Sequence, residues 1–129
     1  MSLNFISSKI IQAAINVHQE LGPGLLESVY QQCMVIELRK LDMLVESEVD
    51  VEVYYKGEKI IGMGYRLDLL IEDRIIFELK SVEAVKPVYK KQLLTYLRLY
   101  EKELGLLINF NVPLLKKGII RIINSSENT

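Results

Sequence analysis

Apolar residues near the N-terminus recur at helical spacing: Ile10, Ile11, Ala14, Ile15 and Val17 fall on one stripe. With Ser7 or Ser8 as its cap, this pattern predicts a first helix running to about Leu21. Gly22-Pro23-Gly24 ends it. A second helix follows from roughly Leu26 to Leu41, with Val29, Cys33, Ile36 and Leu38 turned inward. The period then changes to two. Glu46, Glu48, Asp50 and Glu52 alternate with Ser47, Val49, Val51 and Val53, which predicts a strand with one wet face. Lys56-Gly57-Glu58 turns the chain into a second strand, Lys59 to about Ile71, and Glu72-Asp73-Arg74 leads tightly into a third, Ile75 to Ser81. A third helix is expected from about Pro87 to Lys102, with proline in the first turn where its missing N–H costs nothing. Gly105 to Phe110 reads as a short buried strand and Gly118 to Ile123 as another, before a tail, residues 124–129, that is expected to fray. The order α-α-β-β-β-α-β-β predicts an α/β fold: one domain over residues 1–129, with a central mixed sheet flanked by helices.

Two charges break the apolar pattern. Glu78 interrupts Arg74-Ile75-Ile76-Phe77-Glu78-Leu79-Lys80, and Asp68 interrupts Tyr65-Arg66-Leu67-Asp68-Leu69-Leu70-Ile71. Charged groups are rarely buried unless paired or bound to a metal. Strand alternation puts Glu78 and Lys80 on one face and Leu79 on the other. Asp68 joins that face if it lies opposite Glu78, a register that centres the turn on Asp73 and leaves a three-residue loop. A slip of one residue would separate the two carboxylates. Side by side they repel, and a hard cation reverses that cost. Magnesium, with manganese as a substitute, binds oxygen ligands, keeps several waters, and needs only one or two carboxylates plus a substrate phosphate. The carbonyl of Leu79 is a further candidate ligand, and Lys80 is placed to orient a metal-bound water and stabilise negative charge. With 13 Glu and 11 Lys, about one Glu-x-Lys triplet arises by chance. A plain cross-strand ion pair therefore remains the competing explanation.

The third helix adds to the picture. Between Ala84 and Tyr100 it carries Lys86, Lys90, Lys91 and Arg98 and no acid, interleaved with Tyr89, Tyr96 and Tyr100. Bases with aromatics suit a phosphate backbone and stacked nucleobases; a solvated helix whose tyrosines close the core is the alternative. Gln92 and Tyr96 are one turn apart on one face. Arg66, two residues from Asp68, is expected on the Asp68 face and in reach of phosphate.

Composition narrows the setting. The chain has 129 residues, half of them hydrophobic and 26% charged, as a globular chain has. A net charge of -1 gives no global attraction to nucleic acid, so binding must use a local patch. The single cysteine, Cys33, excludes an internal disulfide, fits a reducing compartment and reads as a packing residue. No run approaches ~18 apolar residues and no basic-then-apolar leader is present, so neither a membrane span nor a signal peptide is expected. The expected location is the cytoplasm.

Asp68, Glu78-Leu79-Lys80, Gln92 and Tyr96 together resemble the PD-(D/E)XK nuclease superfamily, especially its exonuclease-like branch with a Gln-x-x-x-Tyr helix. Leu67 stands where the motif's name has proline. The N-terminal half resembles the narrower group of GxxExxY proteins, through Gly24-Leu25-Leu26-Glu27-Ser28-Val29-Tyr30. The flanks His18 to Pro23 and Gly105 to Phe110 are similar too, so the likeness runs from about Ile11 to Ile123.

The resemblance implies an α/β nuclease core with Asp68, Glu78 and Lys80 in the metal site. It also implies that Glu27 joins them from a helix, with Gln92 and Tyr96 nearby. By itself Glu27 reads as a favourable charge at a helix N-terminus. Tyr30 reads as a packing or hydrogen-bonding residue. His18 reads as a structural group that the Gly-Pro-Gly turn could bring near Glu27. The acidic row Glu46 to Glu52 should face away from nucleic acid and discourage edge pairing. The expected function is magnesium-dependent hydrolysis of nucleic acid, DNA before RNA, with a homodimer or a partner protein as a means of presenting substrate. The alternative is a non-cleaving nucleic-acid-binding or protein-interaction module on the same fold, since a fold does not dictate a function.

Overall fold

The computed structural model describes residues 1–60 and 64–125. Helix α1 (Leu3–Leu21) begins earlier than the apolar stripe suggests. Its cap is Ser2, whose side chain accepts the Phe5 N–H at 3.1 Å. Ser7 and Ser8 lie inside the helix and donate to the carbonyls of Asn4 and Phe5, the back-bonding that accommodates serine there. Helix α2 (Glu27–Lys40) buries Tyr30, Met34 and Leu38, a strict i, i+4 series. Val29 and Ile36, expected inward, are instead 38% and 54% exposed, and Cys33 is half-buried. The inward face is set by Tyr30. Its ring stacks on Phe110 with centroids 4.6 Å apart while its hydroxyl finds polar partners in the α1–α2 turn, so both halves of the side chain are satisfied.

Two of the expected strands each divide in two. The first becomes β1 (Val45–Asp50) and β2 (Val53–Tyr55); the second becomes β3 (Glu58–Ile60) and β4 (Arg66–Ile71). Residues 61–63, in the middle of that second expected strand, and 126–129, in the expected frayed tail, lie outside the described residues. β2 and β3 form a separate ribbon closed at Lys56-Gly57. Both turn residues have positive φ, 50° and 82°, the backbone of a tight two-residue hairpin. The chain continues through β5 (Ile75–Lys80), α3 (Pro87–Tyr100), β6 (Leu104–Asn109), a short 3-10 turn (Leu115–Gly118) and β7 (Ile119–Ile123).

The main sheet is mixed, in the order β1-β4-β5-β6-β7. β5 and β6 are parallel, joined by the α3 crossover; the other neighbours are antiparallel. On one face α1 and α2 pack over Leu69, Ile71, Ile75, Phe77, Leu79, Leu106 and Ile108. On the other, Leu93, Tyr96 and Leu97 of α3 pack over Leu67, Leu70, Ile76 and Leu107. Each such fully buried aliphatic or aromatic side chain contributes about 1.5–3 kcal/mol. β5 is central and apolar on both faces, apart from Glu78 and Lys80.

Candidate active site

The β4–β5 hairpin has the register expected from its loop. Leu69 pairs with Phe77, Leu70 with Ile76 and Ile71 with Ile75, which sets Asp68 opposite Glu78. Glu72 and Asp73 take positive φ, 54° and 52°, to close the three-residue loop. Beyond Leu69↔Phe77 the regular pairing stops and side chains take over. The Leu79 N–H donates to Asp68 Oδ2 at 2.8 Å, and the Asp68 N–H makes a long bond to Glu78 Oε2 at 3.4 Å. The two carboxylates thus lie together where the strands part.

The alternation that placed Arg66 beside Asp68 does not hold. Leu67 packs on the α3 side, whereas Leu69 packs on the α1–α2 side. In a regular strand residues two apart share a face, so the chain changes face at Asp68. Arg66, beyond the change, is exposed and pairs through Nε with Asp50 Oδ1 at 3.2 Å.

Glu78 is only 9% exposed, and its Oε1 is buried with no hydrogen-bond partner among the described residues. Burial first, then the adjoining Asp68 carboxyl, raises its pKa from 4.5 to about 10. Tyr96 closes the site from α3. Its hydroxyl is pushed up to about 12 by burial and then by the negative charge of Glu78, the Tyr65 hydroxyl and Asp68, and its ring meets Tyr65 edge-on at 6.5 Å. Lys80 is half-buried and carries Nζ over the Tyr89 ring, 4.5 Å from the centroid. The ring thus holds the ammonium by a cation–π contact on the α3 side of the sheet. Gln92, one turn before Tyr96, is exposed, as are Lys86, Lys90, Lys91 and Arg98. The basic residues of α3 therefore lie on solvent-accessible surface of the helix that covers the site.

Glu27 does not join the carboxylate pair. Its Oε2 accepts the Ser81 N–H at 3.2 Å, just past the end of β5. Among the described residues no three His, Cys, Asp or Glu side chains gather around a single metal position. The Gly24-x-x-Glu27-x-x-Tyr30 string is instead a latch. Gly24 takes φ 94°, Tyr30 donates to the Gly22 carbonyl at 2.6 Å and accepts the Leu25 N–H at 3.1 Å. Ser81 Oγ donates to the Leu25 carbonyl at 2.6 Å. His18 supports the turn beside this latch: its carbonyl accepts the Gly22 N–H at 2.7 Å, and its ring bonds through Nε2 to the Val112 carbonyl at 2.7 Å.

Two supporting residues were not visible in the sequence pattern. Ser81 is one. Asn109 is the other: buried at the end of β6, it accepts the N–H groups of Val82 and Asn111 and donates to the Val82 carbonyl. This fastens the segment that leaves β5 for α3. Asn109 sits in a string that was noted only for its likeness to relatives, and a polar residue ending an apolar strand was the available signal.

The family model of the PD-(D/E)XK nuclease superfamily matches residues 4–122. The chain belongs to the PD-(D/E)XK nuclease superfamily. No curated protein and no solved structure matches it. The α/β architecture, three helices on a mixed five-stranded sheet, agrees with that membership. Nucleases of this superfamily generally use divalent metals. In this member the residues that fit a cation are the Asp68–Glu78 pair. A buried carboxylate oxygen without a partner is an unmet acceptor, and two carboxylates with water suffice for a hard cation. Among the described residues no helix is long and apolar enough to cross a membrane.

Proposed function

We propose that this PD-(D/E)XK protein is a magnesium- or manganese-dependent nuclease that hydrolyses phosphodiester bonds, with DNA as the preferred substrate and the cytoplasm as its location. The observation that carries this reading is the orphaned, buried Oε1 of Glu78 beside Asp68. An acid placed there without a cation is held protonated at a cost, and membership of the superfamily supplies the reason to keep it. When bound, the divalent ion supplies a water of lowered pKa and neutralises charge at phosphorus.

Asp68 and Glu78 would hold the ion through their carboxylate oxygens. Lys80, released from the Tyr89 face, orients the attacking water and stabilises charge on the phosphate. Tyr96 shields the carboxylates, and Gln92, one turn away, faces the incoming strand. Lys86, Lys90, Lys91 and Arg98 engage the phosphate backbone, with Arg66 a further contact at the rim. Glu27 serves the site by latching α2 to the end of β5.

The test incubates the protein with labelled single- and double-stranded DNA and RNA, with magnesium or manganese, beside Asp68→Ala and Lys80→Ala. Metal-dependent cleavage lost in both variants is the expected result. Binding without cleavage under either metal would make the chain a non-cleaving module.

A further inference from the structure

We propose that Gln31 and Glu48 are positioning residues that aim the Asp68 carboxylate, an inference that rests on the reading of Asp68 as a metal ligand. Three observations carry it. First, the pairing of β1 with β4 runs from Ser47↔Leu69 to Val49↔Leu67 and skips Glu48 and Asp68, which face each other across the gap. Second, both strands change face at that gap. On β4, Leu69 and Leu67 pack on opposite sides of the sheet; on β1, Val45 packs with α1 and α2, whereas Val49 packs with α3. Glu48 has φ 54°, a left-handed backbone that glutamate rarely adopts, in the middle of a strand. Third, the Gln31 amide spans the gap: Nε2 donates to Glu48 Oε1 at 3.0 Å and reaches the Asp68 carbonyl at 3.4 Å.

Two adjacent strands can change face and keep their register only if they do so at the same level. The matched change takes Asp68 off both faces of the sheet. Its carboxylate is then directed sideways to the Leu79 N–H and so beside Glu78. Strain of this kind persists where surrounding structure holds it, and Gln31 is the side chain that holds it here. Gln31 is one helical turn beyond Glu27, so a single face of α2 reaches both Ser81 and Asp68. Glu48 contributes an acceptor for Gln31 and the backbone bend.

The test measures amide hydrogen exchange in the metal-free protein and Mn2+ affinity by calorimetry, for wild type, Gln31→Leu, Glu48→Ala and Glu48→Gln. The Leu79 amide reports directly on Asp68 because Asp68 Oδ2 is its acceptor. In Gln31→Leu, and in Glu48→Ala at its exposed position, Leu79 exchange should rise about tenfold while that of Leu106 in the sheet centre is unchanged. Mn2+ affinity should fall by about tenfold or more in both. Glu48→Gln keeps an acceptor for the amide and should restore both readouts. Unchanged Leu79 exchange, or equal acceleration at Leu79 and Leu106, overturns the inference. Wild-type protein that binds no Mn2+ overturns the nuclease reading instead, and the metal-free exchange still decides whether Gln31 and Glu48 position Asp68.

Discussion

Asp68 and Glu78 stand opposite each other on β4 and β5, and each carboxylate accepts an N–H from the other's strand. The side chains therefore replace the ladder just where the hairpin opens. Two acids this close cannot both ionise cheaply, and burial decides which keeps the proton. Glu78 is the more enclosed, so the raised pKa falls on it. Glu78 therefore keeps its proton far above the ordinary carboxyl range.

This predicts the pH dependence of the metal-free protein. The Glu78 carboxyl titrates at 4.5 when unperturbed and at about 10 when folded. A raised folded pKa means that the folded state binds the proton more tightly. Its contribution to stability is complete below the unfolded value and is lost as pH rises through that window towards the folded value. The slope reaches about 1.4 kcal/mol per pH unit. Glu78→Gln, neutral at every pH, removes that slope. Urea unfolding in chelator should show wild type weakening from about pH 5 to about pH 9, with a growing advantage to the variant. Parallel profiles would refute the assignment.

Cation binding runs the same linkage in reverse. Saturation with Mn2+ at ~100 times Kd should raise unfolding stability by about 2.7 kcal/mol. Because the ligand carboxylate must be ionised, binding near neutral pH should release about one proton. Calorimetry in two buffers of different ionisation enthalpy measures that proton. Asp68→Asn should lose the binding, and Glu78→Gln should lose the proton release with it.

Lys80 is a test of chemistry apart from metal. Lys80→Ala should slow single-turnover cleavage by ~10²–10³-fold while Mn2+ affinity changes little. Tyr89→Leu removes only the ring beneath the ammonium, an interaction of about 0.5–1 kcal/mol at exposed sites. Its effect on cleavage should accordingly be a few-fold.

Glu27 separates a latch from a ligand by the sign of its effect. Removing a repelling carboxylate from an empty metal site would stabilise the metal-free protein. Removing the acceptor of the Ser81 N–H leaves that donor unmatched and should cost about 1–3 kcal/mol. Glu27→Ala should therefore lower the urea midpoint at unchanged slope, in chelator. Tyr30→Phe, which loses the Gly22 carbonyl and the Leu25 N–H, should act in the same direction.

Gly118 offers a packing test independent of function. A Cβ there would lie 2.3 Å from the Asn109 carbonyl oxygen, a backbone atom that cannot swing aside. Gly118→Ala should displace the end of β6 and destabilise by about 1–3 kcal/mol. The fastening of Val82 by Asn109 would loosen with it, seen as faster exchange of the Val82 amide.

The sequence by itself determined the mixed α/β layering, the hairpin register and the meeting of Asp68 with Glu78. The three-residue loop Glu72-Asp73-Arg74 between two apolar runs sets that register, and a slip of one residue would put Asp68 and Glu78 on opposite faces. It also marked Glu78 as anomalous, because a charge inside an apolar run is visible without coordinates. Tertiary structure alone decided the rest. Ser81 is 54 residues from Glu27 and Asp68 is 37 from Gln31, so no local spacing announces either contact. The inward face of α2 went to Tyr30 because the α1–α2 turn supplied partners for its hydroxyl. The change of face at Glu48 and Asp68 defeats a period-of-two reading, since alternation assumes an unbroken strand and the break exists only where two strands bend together.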